Sequence, residues 1–344
     1  MGNQPGPDTH GLAVQLDPVL HASCDGRLGS IRWFRSAWQR GGSETGHATW
    51  RKDDGSITDA IVKLPVGPCE LLWSKRLSSA TTCTGLAAPT PRVFACGEEL
   101  GGYDLCWLVV QRIHGKPVSA AMNEAGLHAI LAAVADFHDA AGRAMPIQEA
   151  PHPSRPNWGR LLDKAKHAAK EGIVAEGVRW CDAIRKVQRS LRTLETEWEL
   201  RPINAWCHGD LHPGNALRDV EGGGNGGAHG GSESAAEHAE RCTLIDLALV
   251  HPGHWVEDAL YLERQFWGHN QSLCGVKPVS VLAKLRRERG LSTDDQYAEI
   301  ANVRRVLMAA CAPAVTEVEG GNPKYMHSAL LQIERYLPMV VKHG

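Results

Sequence analysis

No run of the 344-residue chain approaches the roughly 18 uninterrupted apolar residues needed to cross a bilayer. The opening MGNQPGPDTHGLAVQLDP has neither the basic nor the apolar region of a secretory leader, and Gly6 stands where N-myristoylation wants Ser or Thr. A cytoplasmic protein without a membrane partner is therefore expected. An excess of one charge is also missing: 37 Lys and Arg stand against 39 Asp and Glu, a net charge of -2, which offers nothing to nucleic acid or to an anionic membrane. The ten cysteines, Cys24 to Cys311, are scattered without a C-x-x-C pair. They are expected to be reduced and to fill apolar gaps. No internal repeat is visible.

What is present is an ordinary globular composition, 43% hydrophobic and 22% charged, in a chain long enough for one or two domains. From about Leu28 to Val66 the pattern is strand-like: SIRWFRSAWQ, the polar GGSETG, HATWR, an Asp53 to Gly55 turn, then TDAIVKL. After the Gly67-Pro68 break, CELLWSKRLSS has helical spacing. PRVFACGEELGGYDLCWLVVQRIHG supplies two more short strands around a Gly-rich turn. Trp33, Trp38, Trp50 and Trp73 are expected to pack within this small β lobe rather than to meet nucleic acid. Beyond Gly115 the character is helical: LHAILAAVADFHDAAG, Trp158 to Lys170, one helix over Val178 to Leu200, and Glu257 to Val341 with breaks near Pro278 and Pro313. Residues Glu221 to Glu240 hold no large apolar side chain and read as a disordered insertion.

The densest chemistry is Cys207-His208-Gly209-Asp210-Leu211-His212-Pro213-Gly214-Asn215, followed downstream by Leu244-Ile245-Asp246. Phosphoryl transfer needs a carboxylate beside the attacking hydroxyl and oxygen ligands that hold magnesium against nucleotide phosphates. The spacing of Asp210 and Asn215 matches the protein-kinase pattern H-R-D-L-x-x-x-N, with Gly209 in place of Arg. Two other readings stand beside this one. The segment could be a simple turn, since Gly, Asp, Asn and Pro favour turns, or Cys207, His208, His212 and Cys242 could form a zinc site, although their spacing fits no zinc pattern. Without the Glu221 to Glu240 tract, the chain between Asp210 and Asp246 suits a hairpin that pairs Ala216 to Arg218 with Cys242 to Ile245.

These motifs resemble the catalytic and metal loops of the aminoglycoside phosphotransferase family, small-molecule kinases of the protein-kinase-like superfamily. The resemblance implies an α+β bilobal fold: an extension over 1–27, a nucleotide-binding small antiparallel β lobe with one helix over 28–111, and a larger, mainly α-helical lobe over 112–344 with the insertion at 221–240. It implies Asp210 as catalytic base, and Asn215 and Asp246 as ligands of Mg2+. Lys63, ending the strand AIVKL, looks like the lysine that contacts nucleotide phosphates, with Glu70 placed to pair with it. Gln111 and Ile113 fall in the family's hinge, where main-chain groups meet adenine. Gly41 to Gly46 could cover phosphate or be an ordinary turn, and Asp258 in HWVEDALYL would support the catalytic loop through backbone hydrogen bonds or be a plain charge at a helix N-terminus. Phe137-His138 matches the family's Leu-His, and no catalytic role is expected for it.

The implied activity is ATP- and Mg-dependent transfer of the γ-phosphoryl group to a hydroxyl of a small molecule: a sugar, an amino alcohol or an aminoglycoside-like compound. The implied partners are ATP and that acceptor, with no obligate protein partner. Mixed charges on the large-lobe helices do not favour a polycationic antibiotic. A nucleotide-binding pseudokinase that acts as a scaffold is the main alternative. A protein kinase is a lesser one, since Leu247-Ala248 replaces Phe-Gly after Asp246.

Overall fold

The computed structural model describes residues 9–34, 43–218, 241–315 and 322–341. The tract 221–240 and part of the GGSETG segment lie outside the described residues.

Helix α1 (Thr9–Ser23) comes first, within the stretch read above as an extension. Its Ala13, Leu16 and Leu20 are buried with Trp50, Leu64, Trp107 and Val109, so it belongs to the small core. Strands β1 (Arg32–Phe34), β2 (Glu44–Arg51), β3 (Ile57–Leu64), β4 (Val93–Gly97) and β5 (Trp107–Gln111) form one antiparallel sheet in the order β1-β2-β3-β5-β4. In β3 the two-residue period sends Ala60, Val62 and Leu64 into the core, each fully buried. The same period turns Ile61 and Lys63 to the opposite face. A one-residue slip against β5, where Lys63 stands opposite Leu108, would bury the ammonium in that core.

Helix α2 (Pro68–Leu77) follows β3. Pro68 suits its first turn because its missing N–H would have had no partner there. The helix buries Leu71, Trp73 and Leu77. Trp73 corrects the expectation of a small-lobe tryptophan cluster. Its ring lies 4.6 Å from that of Trp206, and it belongs to the large-lobe core.

The large lobe is built around α3 (Glu124–Ala144), capped by Asn123, whose side chain accepts the Gly126 N–H at 2.7 Å. This helix is apolar on most faces and is enclosed by neighbours accordingly. Helix α4 (Trp158–Lys170) has the expected bounds. The single helix expected over Val178 to Leu200 is instead two, α5 (Gly177–Arg189) and α6 (Leu191–Glu199), broken at Ser190, whose φ of -101° and ψ of 6° are not helical. Serine competes for backbone hydrogen bonds and so tolerates such breaks.

Four short strands then form two ribbons: β6 (Ala205–Cys207) pairs with β9 (His251–Gly253), and β7 (Ala216–Arg218) with β8 (Cys242–Leu244). The loop between β6 and β7 is the one singled out in the sequence. Helices α7 (Val256–Arg264), α8 (Pro278–Glu288), α9 (Tyr297–Ala310), α10 (Ala312–Val315) and α11 (Pro323–Val341) complete the lobe, with α7 packed against α8 and α9. Pro278 opens α8, whereas Pro313 sits inside the short α10. Among the described residues, no helix is long and apolar enough to cross a membrane.

Candidate functional site

The β6–β7 loop is held from beneath by Asp258, in the first turn of α7. One carboxylate oxygen accepts the His208 N–H at 2.8 Å and the other the Gly209 N–H at 3.0 Å. The carboxylate is buried and also meets His138 Nε2 at 2.9 Å. His138 Nδ1 in turn faces Arg286 Nη1 at 2.9 Å. Since a guanidinium only donates, Nδ1 is the acceptor, and the neutral ring must carry its proton on Nε2, facing Asp258. Burial lowers the His138 pKa below the usual imidazole range, which favours that neutral form. Burial pushes the Asp258 carboxyl upward, but the His138 hydrogen bond and the surrounding donors outweigh it and leave the group ionised below its ordinary range. Burial also draws Arg286 down to about 10.

His208 ties this loop to the next. Its Nε2 bonds the Ile245 carbonyl at 3.1 Å and its Nδ1 accepts the Asp210 N–H at 3.3 Å. Gly209 has φ of +80°, and a Cβ there would come within 2.2 Å of the Leu249 carbonyl oxygen. That close approach explains why glycine stands where protein kinases carry Arg. Asp210 Oδ2 accepts from Asn215 Nδ2 at 3.0 Å, and Oδ1 accepts the Tyr261 phenol at 2.5 Å. Asn215 Nδ2 also donates to the Asp210 carbonyl at 3.1 Å, and its Oδ1 has no hydrogen-bond partner among the described residues. Asp246 has φ of +66°, a left-handed conformation that aspartate tolerates better than most residues.

A cleft of about 510 Å³ opens between the sheet and this loop system. Lys63, Glu70, Gln111, Ile113, Asn215 and Asp246 all line it, and Asp210 lies one hydrogen bond beyond Asn215. Lys63 is ion-paired with Glu70, which is 6% exposed. The Gln111 N–H is taken by the Arg92 carbonyl at 2.7 Å, whereas the Ile113 N–H has no hydrogen-bond partner among the described residues. Directly after this segment, Gly115 passes so close to Arg218 that a Cβ would overlap its carbonyl oxygen at 1.5 Å. Of the segment Gly41 to Gly46, Glu44 to Gly46 belong to β2, and Gly41 and Gly42 lie outside the described residues.

The residues of the zinc reading do not converge. Among the described residues, the one group with ligand atoms close together is Cys207, His251 and Glu257. Its carboxylate already faces Arg201 at 3.4 Å and Arg304 at 3.9 Å. Among the described residues, no two cysteines form a disulfide.

Three features of the site escaped the sequence reading. Phe34 and His47 stack at 4.5 Å on the cleft's sheet side, Arg286 stands behind His138, and Tyr261 sits on Asp210. Only Tyr261 carried a usable signal: it follows Asp258 by one helical turn and so shares its face.

Sheet, cleft and helical lobe make the fold α+β, bilobal and kinase-like. The phosphotransferase enzyme family (APH) matches residues 40–228, and the chain belongs to that family. It is accordingly a phosphotransferase. No curated protein matches the chain. Among solved structures, a candidate aminoglycoside phosphotransferase from Ralstonia eutropha JMP134 is similar over 94% of this chain and 98% of its own, at 12% identity and a TM-score of 0.55, which shows a shared fold. Choline kinase from Cryptosporidium parvum Iowa II covers 97% of this chain and 96% of its own, at 10% identity and a TM-score of 0.49. The spectinomycin phosphotransferase APH(9)-Ia covers 93% of each, at 11% identity and a TM-score of 0.49.

Proposed function

We propose that the protein transfers the γ-phosphoryl group of ATP, with magnesium, to the hydroxyl of a small metabolite. The observation that carries this reading is the convergence on one cleft of the Lys63–Glu70 pair, Asn215 and Asp246, with Asp210 hydrogen-bonded to Asn215. The nucleotide base enters against the sheet, where the free N–H of Ile113 donates to it and the carbonyl of Gln111 accepts. Lys63, fixed by Glu70, holds the phosphates.

Asn215 and Asp246 offer the oxygen donors that a hard cation takes, and the free Oδ1 of Asn215 fits that use. Bound there, magnesium would neutralise charge on the phosphates as the transfer proceeds. Asp210 accepts the proton of the attacking hydroxyl and aligns its oxygen. The Asp258 carboxylate fixes the 208–209 backbone and hence the position of Asp210. No covalent enzyme intermediate is required. The functional division we propose is a nucleotide-binding lobe over 28–111 and a catalytic and acceptor-binding lobe over 112–344.

The test is transfer of label from γ-labelled ATP to a panel of hydroxyl metabolites with magnesium present. Label should move to at least one small molecule, and the Asp210→Asn protein should move it roughly 10²-fold or more slowly. Transfer at an unchanged rate would remove Asp210 from its role.

A further inference from the structure

Two contacts from Asp210, along α7, stands a cation that the mechanism above does not use. Tyr261 donates its phenol to Asp210 Oδ1. One helical turn along α7, Arg264 lays its guanidinium over the Tyr261 ring, 4.1 Å from the centroid. Both side chains are half-buried.

Helix α7 carries four charged residues, Glu257, Asp258, Glu263 and Arg264. Glu257 faces Arg201, Arg304 and His251. Asp258 faces His138. Glu263 takes both arms of Arg305 at 2.7 Å. Arg264 alone has no carboxylate within ion-pair distance among the described residues. Its charge is also felt by Arg304 of α9 and Tyr325 of α11. A cation in the last turn of a helix suits the helix dipole. That accounts for a positive residue at this place, but not for its position across the ring that touches Asp210.

We propose that Tyr261 and Arg264 form the acceptor subsite, and that Arg264 binds an anionic group, a carboxylate or a phosphate monoester, carried by the alcohol that is phosphorylated. The proposal rests on the reading of Asp210 as the base. A planar guanidinium that no carboxylate occupies matches such oxygens in pairs. A polycationic acceptor would meet Arg264 and find every α7 carboxylate already taken. In the reaction, the acceptor oxygen forms a bond to the γ-phosphorus and the bond from that phosphorus to the β-bridging oxygen breaks. ADP leaves with the electron pair, and the hydroxyl proton passes to Asp210. The Tyr261 phenol holds the carboxylate in place until the acceptor hydroxyl arrives.

The experiment measures ADP release by the full chain with Mg-ATP and matched alcohols: D-glycerate and glycerol 3-phosphate as anions, glycerol as the neutral compound, and 2-amino-1,3-propanediol and kanamycin as cations. The expected result is the highest kcat/KM within the anionic group. Arg264→Gln should raise the acceptor KM about ten-fold, the scale of one lost charge-assisted hydrogen bond. Arg264→Lys, which keeps the charge and guards against a folding artefact, should recover part of that. A preference for the neutral or cationic alcohols would overturn the proposal, as would ATP turnover that no anionic alcohol stimulates. An Arg264→Gln effect on the KM for ATP instead would assign the guanidinium to the nucleotide phosphates. Absence of any ATP turnover would count against the kinase reading itself, which separates the two failures.

Discussion

Asp258→Asn is the substitution whose cost the geometry defines best. The native carboxylate receives three donors, the N–H groups of His208 and Gly209 and Nε2 of His138, at 2.8, 3.0 and 2.9 Å. Its charge also acts on Arg286 beyond His138, as does that of Asp294. An amide can keep its oxygen toward His208 and His138, but its NH2 then meets the Gly209 N–H, donor against donor. The opposite orientation fails at two contacts. One buried unsatisfied donor costs about 1 to 3 kcal/mol. Loss of charge assistance at the two remaining hydrogen bonds adds to this, for a total of about 2 to 4 kcal/mol. Urea unfolding followed by tryptophan fluorescence would measure it, and phosphoryl transfer should fall as well because the loop that carries Asp210 loses its anchor. A stability loss below about 1 kcal/mol would show that the carboxylate is not the brace described here.

Other predictions concern the cleft and the pH response. Asp210→Asn should fold and still bind nucleotide while losing roughly 10²-fold or more in rate, the scale of a general base, measurable by label transfer. Lys63→Met should leave a folded protein with a raised KM for ATP, since it removes the cation that Glu70 orients; an unchanged KM would place Lys63 outside the phosphate contacts. Burial lowers the pKa of His138, His208 and His254, so the folded state holds them neutral while the unfolded chain takes up protons. Stability present above the ordinary histidine value of 6.5 should therefore fall as the pH drops below it. Against burial, the Glu257 carboxylate raises His251, a single contribution of the opposite sign. Glu257 itself is held at about 2 despite burial by His251, Arg304 and Arg201, which adds a second loss as the pH falls from the ordinary 4.5 toward 2. Melting temperatures measured from about pH 8 to about pH 4 would check this, and a flat profile would contradict it.

The parts of this molecule that the sequence displays are those set by local spacing. Lys63 is legible because strict alternation in β3 forces it away from Val62 and Leu64, and Glu70 because the Gly67-Pro68 break fixes where α2 begins. The loop from His208 to Asn215 is legible because its groups bond within the loop itself, as Asn215 does to Asp210. Contacts between distant segments are not displayed in this way. Nothing near His138 announces that Arg286, far along the chain, will share its Nδ1. Trp73 looks like a small-lobe residue until the Trp206 ring meets it. Helix α1 was missed because its Gly11 and Pro18 weaken helical propensity, and burial of Leu16 and Leu20 against the sheet overrides that weakness. The break at Ser190 turns on one residue's backbone angles between two helical patterns of good periodicity.

The central claim, a magnesium–nucleotide site made by Lys63, Asn215 and Asp246, is tested most directly by thermal unfolding with and without Mg-ATP, in the natural protein and in Asp246→Ala. A ligand bound only by the folded state raises the melting temperature, by an amount that grows with its concentration over Kd. The account predicts an upward shift that requires magnesium and is abolished by Asp246→Ala. No shift at millimolar nucleotide, or a shift that survives the substitution and the removal of magnesium, would contradict it.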